Sequence, residues 1–142
     1  EKSIKYFKMA ADAGDAKSMA VYAFMLQKGE GASVNFEEVI KYYKMAIDKG
    51  DATAMNNYAK MLEKGEGTPV NYEEAIKYYK MAIDKEGFED SMYHYACMLE
   101  NGKGIALDIE EAKKYYKLAS DKGHKDASDA LIRLFNDEKD QS

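Results

Sequence analysis

The sequence of 142 residues predicts an all-α protein made of stacked helix pairs, with about eight helices in total. Three observations support this fold class. First, tyrosine recurs at Tyr6, Tyr42, Tyr78 and Tyr115, at spacings of 36, 36 and 37 residues. Second, apolar residues within each unit recur every three or four positions, which places them on one face of a helix. Third, no segment alternates between apolar and polar residues in the way that a half-buried strand does.

Further columns of the repeat carry one residue type from unit to unit. They comprise the aromatic residues Phe7, Tyr43, Tyr79 and Tyr116, the alanines Ala10, Ala46, Ala82 and Ala119, and all nine methionines, which fall at 9, 45 and 81, at 19, 55 and 92, and at 25, 61 and 98. Stacked units bury a face against their neighbours, so we interpret these columns as the core. The one extra residue of the last spacing is most simply placed at Glu86.

The first half of each unit is predicted to form one helix, which we call helix A. In the second unit its apolar face runs from Ala52 to Leu62 with helical spacing. Asp51 stands where a side chain can accept a hydrogen bond from the first turn, and Gly65 stands where a helix can end in a left-handed conformation. The sequence therefore places helix A between these two residues.

The second half of each unit is predicted to form another helix, helix B. Apolar residues from Ala75 to Ile83 keep the helical period, and Asn71 followed by Glu74 makes a capping box. The same box recurs as Asn35 with Glu38 and as Asp108 with Glu111. A glycine then follows helix B and allows a tight turn into the next helix A. These glycines are Gly50, Gly87 and Gly123.

We predict a single domain over residues 1–142. Its segments are an orphan helix B at 1–14, three repeats at 15–50, 51–87 and 88–123, a terminal helix A at 124–136 and a polar tail at 137–142. Glu1 aligns with Glu37, so the chain begins at the start of a helix B, and we expect it to be cut from a larger solenoid. Ile132 stands where the earlier units have alanine, and a larger side chain there prevents the same close helix crossing.

The pattern from Asp51 to Ala82 is specific enough to indicate a family. It reads DATAMNNYAKMLEKGEG and, two residues later, VNYEEAIKYYKMA. This pattern resembles the Sel1-like repeat, a relative of the tetratricopeptide repeat with a longer period, over nearly the whole chain. A double-glycine turn separates it from the tetratricopeptide unit, and this turn is found as Gly29 with Gly31, Gly65 with Gly67, and Gly102 with Gly104. The resemblance implies a right-handed α-solenoid and, for most members, a non-catalytic scaffold or adaptor.

The resemblance also implies that the A helices line a concave groove. Carried over by register, the candidate partner-binding residues of this groove are Lys17, Phe24, Gln27, Asn56, Lys60, Glu63, Asp90, Tyr93, Glu100 and Arg133. Phe24 and Tyr93 are candidate anchors, because aromatic residues carry much of the binding energy in many interfaces. A peptide or a partner helix is the expected occupant, and the identity of the partner protein stays open.

Composition limits the function classes that need to be considered. The net charge is −5 and the lysines are spread through the repeats, which argues against nucleic acid as a partner. The sequence contains no run of about 18 apolar residues, which a membrane-spanning helix would need. The first residues do not resemble a signal peptide. The single Cys97 forms no internal disulfide, so a cytoplasmic location is favoured while the compartment stays open.

Several alternatives to a groove-binding adaptor stay open. Asp90, His94 and Cys97 lie at i, i+4 and i+7 on one helix face and are potential metal ligands, although a structurally inert thiol is favoured. We expect no catalytic, cofactor or metal site. Cysteine-rich secreted relatives within the resembled family are associated with binding penicillin-like compounds, and they use a disulfide in each repeat, which one cysteine cannot supply. The other alternative is a structural spacer, or a module that self-associates through exposed solenoid ends.

Overall fold

The computed structural model describes residues 2–29 and 34–140, and these residues form eight α-helices and no β-strand. The helices are α1 (Lys2–Asp12), α2 (Ala16–Gln27), α3 (Phe36–Asp48), α4 (Ala52–Lys64), α5 (Tyr72–Glu86), α6 (Glu89–Asn101), α7 (Ile109–Asp121) and α8 (Lys125–Asp140). The prediction of an all-α fold with about eight helices is confirmed. By register, α2, α4, α6 and α8 are A helices, and α1, α3, α5 and α7 are B helices. None of the described helices is long and apolar enough to span a membrane.

The helices stack in chain order. Each helix packs against the helices before and after it, and α2 also contacts α4. Side chains link consecutive A helices directly. The amide of Asn56 in α4 donates a hydrogen bond to Asp90 in α6 at 2.9 Å, and Arg133 in α8 donates to Glu100 in α6 at 2.7 Å. The A helices therefore lie side by side in one layer, and the stack is a solenoid whose units contact their neighbours.

Each unit is held together by a tyrosine pair and by closely packed alanines. The pairs Tyr22 with Tyr42, Tyr58 with Tyr78, and Tyr95 with Tyr115 pack edge to face, with ring centroids 4.8, 5.2 and 4.9 Å apart. The alanines at 23, 59 and 96 in helix A and at 46, 82 and 119 in helix B are fully buried. Small side chains at these positions let the two helices of a unit approach closely.

Helix capping follows the sequence pattern in most units. Asp51 accepts a hydrogen bond from the backbone nitrogen of Ala54 at 2.9 Å, and side chains at 35, 71 and 108 cap α3, α5 and α7 in the same way. The helix α5 has 15 residues, whereas α3 and α7 have 13, so the extra residue at Glu86 lengthens this helix. The next helix, α6, begins after Phe88, whose side chain makes no capping hydrogen bond.

Two predicted core columns are not buried in α1. Tyr6 and Met9 are 65% and 73% exposed, and the methionines at 45 and 81, which share the column of Met9, are only partly buried. The prediction that all nine methionines lie in the core is therefore wrong for Met9. The corresponding part of α3 packs against α2, and no helix in the described ranges covers α1 on that side.

The last helix is longer than the sequence predicts. The prediction ends this helix at 136 and gives 137–142 to a polar tail, whereas α8 continues to Asp140. No glycine or proline follows Asn136 to end the helix. Glu138 forms an ion pair with Lys113 of α7, and this contact stabilises the last turns of α8. Ile132 and Phe135 are 60% and 62% exposed, on a side of α8 that no described helix covers.

In the two double-glycine turns that the structure describes in full, the second glycine brings one repeat against the preceding one. Gly67 has a φ of +71° and passes so close to α3 that an added Cβ would lie 2.2 Å from Cγ of Phe36. Gly104 makes the equivalent approach to α5, where an added Cβ would lie 2.5 Å from Cβ of Tyr72. These turns therefore require glycine for space as well as for its backbone conformation. Gly31 in the first turn, like Glu1, lies outside the described residues.

Candidate partner-binding face

The layer of A helices carries all ten candidate groove residues. Lys17, Phe24 and Gln27 lie in α2, Asn56, Lys60 and Glu63 in α4, Asp90, Tyr93 and Glu100 in α6, and Arg133 in α8. We call the side of the layer marked by these residues the inner face. They are of two kinds, because some are free to contact a partner and others are already bonded within the stack.

Phe24 is the most exposed aromatic side chain among the candidates. Its exposed fraction is 45%, and its ring borders a notch of about 230 Å³ between α2 and α4. The other residues that line this notch are Ala20, Val21, Thr53 and Asn57. Since most of the lining is apolar, the notch can accept an apolar side chain of a partner.

A smaller and more polar pocket adjoins the notch. Its volume is about 90 Å³, and it is lined by Phe24, Gln27, Lys28, Asn57, Lys60, Lys64 and Glu66. The ammonium of Lys28 lies 5.7 Å from the centroid of the Phe24 ring. Glu66 accepts a hydrogen bond from Gln27 at 3.1 Å. The pocket therefore offers three ammonium groups and one carboxylate that is already hydrogen-bonded.

A buried tyrosine from helix B holds a polar residue in the last turn of helix A in each unit. Tyr43 donates to Gln27 at 2.9 Å, Tyr79 donates to Glu63 at 2.7 Å, and Tyr116 donates to Glu100 at 2.7 Å. Burial raises the pKa of each of these phenols, so the hydroxyls stay protonated and act as donors. Three of the candidate groove residues thus have a structural bond within their own unit.

The centre of the inner face is occupied by a polar network between α4 and α6. Asp90 accepts from the amide of Asn56 at 2.9 Å, and the hydroxyl of Ser91 donates to the other end of that amide at 2.7 Å. Asn56 is only 2% exposed, so the expectation that it contacts a partner is wrong. Both ends of its carboxamide are hydrogen-bonded to the next repeat. Lys60 lies 3.7 Å from the same Asp90 carboxylate.

Two histidines complete this network. Nε2 of His124 lies 3.0 Å from Asp90, and Nε2 of His94 lies 3.5 Å from it. Burial alone would raise the pKa of Asp90, but hydrogen bonds with His94, His124 and Asn56 lower it well below the usual range. Asp90 is thus held as a carboxylate where α4, α6 and the start of α8 meet.

His124 is a residue that the sequence reasoning missed. It stands at the position that Asp15 and Asp51 occupy before earlier A helices, and its Nδ1 accepts from the backbone nitrogen of Ala127 at 3.2 Å. Its ring stacks on that of Tyr93, with centroids 4.7 Å apart. The repeat alignment contained the signal, since it places His124 in a column of helix caps.

Tyr93 contributes to the core as well as to the inner face. Its ring is half-buried and also contacts the ring of Tyr116, with centroids 5.8 Å apart. Burial, together with the nearby Cys97, raises the pKa of Tyr93 to about 12. A change at Tyr93 is therefore expected to affect stability as well as binding, which makes Phe24 the cleaner probe of the inner face.

Three side chains of α6 are potential metal ligands, those of Asp90, His94 and Cys97. Each of them contacts its own partner within the stack, and the three do not point at one common position. The ring of His94 stacks on Tyr79 with centroids 5.4 Å apart. The thiol of Cys97 lies 3.3 Å from the hydroxyl of Tyr116, and burial raises its pKa. Within residues 2–29 and 34–140, no three such side chains are grouped so that they could hold a metal ion.

The part of the inner face near α8 is acidic. A depression of about 280 Å³ is lined by Tyr93, Asp126, Asp129, Ala130 and Arg133. Arg133 donates two hydrogen bonds to Glu100, at 2.7 and 2.9 Å, and these bonds lower the pKa of that carboxyl group. Asp126 and Asp129 are exposed and have no ion pair in the described part of the chain.

A separate apolar surface lies on the uncovered side of α8, away from the candidate residues. It contains a cavity of about 390 Å³ lined by Lys113, Leu131, Ile132, Phe135 and Glu138. We call it the α8 end surface.

One known repeat family matches successive segments of this chain. The sequence model of the Sel1 repeat matches residues 1–15, 16–51, 52–86 and 89–124. Among proteins with curated descriptions, none matches this sequence significantly.

Solved structures with the same architecture come from several bacteria. A Sel1 repeat protein from Oxalobacter formigenes is 28% identical, with a TM-score of 0.80 over 89% of this chain and 51% of that one. A protective antigen of uropathogenic Escherichia coli, with an SLR fold, is 23% identical, with a TM-score of 0.81 over 87% of this chain and 26% of that one. The cysteine rich protein B of Helicobacter pylori is 19% identical, with a TM-score of 0.70 over 92% of both chains.

The chain spans about half and about a quarter of the first two of these proteins. The similarity to the second and third shows the fold alone, because fold does not determine function.

Proposed function

Since this chain belongs to the Sel1-repeat family, whose members commonly mediate protein–protein interactions, we propose that it is a non-catalytic scaffold or adaptor. Its inner face binds a peptide or a helix of a protein partner. The A helices supply the contacts, and the B helices hold them in place.

The observation that carries this proposal is the exposure of Phe24 beside an apolar notch. An aromatic ring at the edge of a notch of about 230 Å³ is a typical anchor for a partner side chain. Its column differs from unit to unit, with Phe24, Lys60, Cys97 and Arg133. The adjacent column is alanine in the same three repeats, at 23, 59 and 96, where packing fixes it. Variation next to a fixed column favours a surface that serves binding.

The chemistry of the central residues favours binding over catalysis. A cysteine nucleophile needs a lowered thiol pKa, whereas burial raises that of Cys97. His94 and His124 are both directed at Asp90, which they share with Asn56. These groups link repeats, and this arrangement supports a non-catalytic role.

The test is the capture of partners from the lysate of the source cell by three immobilised proteins. They are the wild type, Phe24→Ala, and the control Phe135→Ala, which removes an exposed ring from the α8 end surface. We expect one or more proteins to be captured by the wild type and by Phe135→Ala but not by Phe24→Ala. Circular dichroism and urea midpoints establish that all three are equally folded. Equal capture by all three would contradict the proposal.

A second candidate function is self-association, which four exposed apolar side chains favour. Tyr6 and Met9 of α1 and Ile132 and Phe135 of α8 are each at least 60% exposed. A second copy could cover both surfaces by placing its α1 against α8, as a B helix packs on an A helix within the stack. Light scattering tests this function. The mass should rise with concentration for the wild type and for Phe24→Ala, and less for Phe135→Ala. A constant mass of one chain at all concentrations would exclude it.

A further inference from the structure

The inner face is basic over its first two A helices. Lys17, Lys28, Lys60 and Lys64 lie on or next to this part of the face. Lys17, Lys28 and Lys64 are exposed and form no ion pair in the described part of the chain. Two carboxylates of this region, among the residues that the structure describes, are already hydrogen-bonded, since Glu63 accepts from Tyr79 and Glu66 accepts from Gln27.

The inner face is acidic over α6 and α8. Asp126 and Asp129 are exposed and unpaired among the described residues. Arg133, the basic residue among the candidate residues of this region, is bonded twice to Glu100 and is not available to balance them. The two ends of the face therefore present unpaired charges of opposite sign, although the whole chain carries a net charge of −5.

The middle of the face separates the two charged regions. The carboxylate of Asp90 is bonded to Asn56 and both histidines, so its oxygens are occupied within the stack. The notch beside Phe24 lies at the basic end, because Phe24 and Asn57 line both the notch and the lysine pocket. An apolar group of a ligand would therefore sit next to the negative groups that the lysines attract.

We propose that the inner face selects a polypeptide segment whose charges are ordered, with acidic residues over α2 and α4 and basic residues over α6 and α8. An apolar side chain adjacent to the acidic residues fills the notch beside Phe24. This inference rests on the proposed function and specifies its partner. A continuous polyanion such as a nucleic acid does not fit, because Asp126 and Asp129 repel it at one end. Complementary charges at both ends fix the direction of the segment along the stack.

The experiment selects binders from a phage-displayed library of random linear peptides on the immobilised wild-type chain. We expect the enriched peptides to carry acidic residues beside an apolar residue at one end and basic residues at the other. The most enriched peptide is then synthesised, and its Kd is measured by fluorescence anisotropy at low and high salt. Binding should weaken as salt rises, because exposed charge pairs are screened.

Two charge-removing variants, each with a matched control, test the two ends separately. Lys64→Gln and Asp129→Asn should each raise the Kd about two- to fivefold, the effect of one exposed charge pair. The controls Lys5→Gln in α1 and Asp84→Asn in α5 remove equally exposed charges away from the inner face and should leave the Kd unchanged.

The results also separate this inference from the proposed function. Enriched peptides without charge order, or a Kd unaffected by both Lys64→Gln and Asp129→Asn, would overturn the inference. The proposed function would still stand if Phe24→Ala abolished the binding of those peptides. If the peptides bound Phe24→Ala as tightly as wild type, the inner face would not be their site and both would fail. Failure to enrich any peptide above an unrelated protein would also overturn the inference.

Discussion

Single hydroxyl groups of the core hold the polar residues at the edge of the inner face. Tyr43 and Tyr79 occupy the same position in two units and are both fully buried, yet their acceptors differ. Tyr43 donates to the neutral carboxamide of Gln27, and Tyr79 donates to the carboxyl group of Glu63, whose side chain is 16% exposed. A hydrogen bond to a charged acceptor is stronger than one to a neutral acceptor, so these two bonds should contribute differently to stability.

Removing each hydroxyl measures this difference. We expect Tyr79→Phe to lower the free energy of unfolding by about 1.5–3 kcal/mol, because it leaves a mostly buried carboxylate without its donor. Tyr43→Phe should cost about 0.5–1.5 kcal/mol, the range for a bond between neutral groups. Urea unfolding of the wild type and the two variants measures both values. Equal costs would show that the charge of the acceptor does not determine the strength of this contact.

The pH dependence of stability should reveal the environment of Asp90. Its pKa in the folded protein lies below the value of about 4 expected in the unfolded chain. As the pH falls, the unfolded state therefore takes up the proton first. The stabilisation by Asp90 is fully present above about pH 4 and is lost as the pH falls towards its folded-state pKa.

The measurement compares the wild type with Asp90→Asn by urea unfolding between about pH 6 and about pH 3. We expect the variant to be less stable at the upper end of this range and the difference to shrink towards the lower end. Asp84→Asn, which changes an exposed carboxyl group of α5, is the control and should show a smaller difference at every pH. A difference for Asp90→Asn that does not change with pH would refute the interpretation of the network.

At the scale of elements, the turn between helix A and helix B determines how one repeat rests on the preceding one. Gly67 contacts the ring of Phe36 at the start of α3, and Gly104 contacts Tyr72 at the start of α5. The sequence shows these glycines as part of a turn. It does not show that they approach an aromatic residue of the neighbouring repeat, because that contact depends on how the repeats stack.

A double-mutant cycle tests the contact between Gly67 and Phe36. Gly67→Ala should cost on the order of 1–3 kcal/mol, because the added methyl group overlaps the Phe36 ring and a residue with a side chain is placed at positive φ. In a Phe36→Ala background the same change should cost less, since the ring is gone and only the overlap with Cβ of residue 36, at 2.6 Å, remains. Urea unfolding of the four proteins gives the coupling energy. Identical costs in both backgrounds would mean that the Phe36 ring does not contribute to the cost.

At the scale of the whole molecule, stability should be unevenly distributed along the stack. Inner helices such as α4 and α5 are packed on both sides by other helices, whereas α1 and α8 have exposed apolar sides. In a repeat protein each unit is stabilised by its neighbours, so the end helices open at a lower free energy. We expect amide hydrogen exchange to be slowest in α4 and α5 and fastest in α1 and α8. Equal protection in all eight described helices would contradict this expectation.

The sequence predicts the fold better than it predicts the binding face. Columns such as that of Ala59 recur in every full unit, and they suffice to place the helices and their buried sides. The inner face depends on contacts between units. Asn56 is buried because Asp90 and Ser91 of the next repeat bond to it, and no pattern within one unit indicates that. Exposure at the ends of the stack, as at Met9, likewise depends on which neighbours are present.

The glycine turns also have a mechanical consequence. The turns at Gly67 and Gly104 are junctions at which one repeat rests against an aromatic residue of the preceding one, Phe36 and Tyr72. A small rotation at such a junction moves every later helix of the stack. The displacement of a helix increases with its distance from the junction. Tilting one junction would therefore bend the line of the whole A-helix layer while leaving each helix pair unchanged. A single methyl group added at either glycine would thus alter the curvature of the molecule.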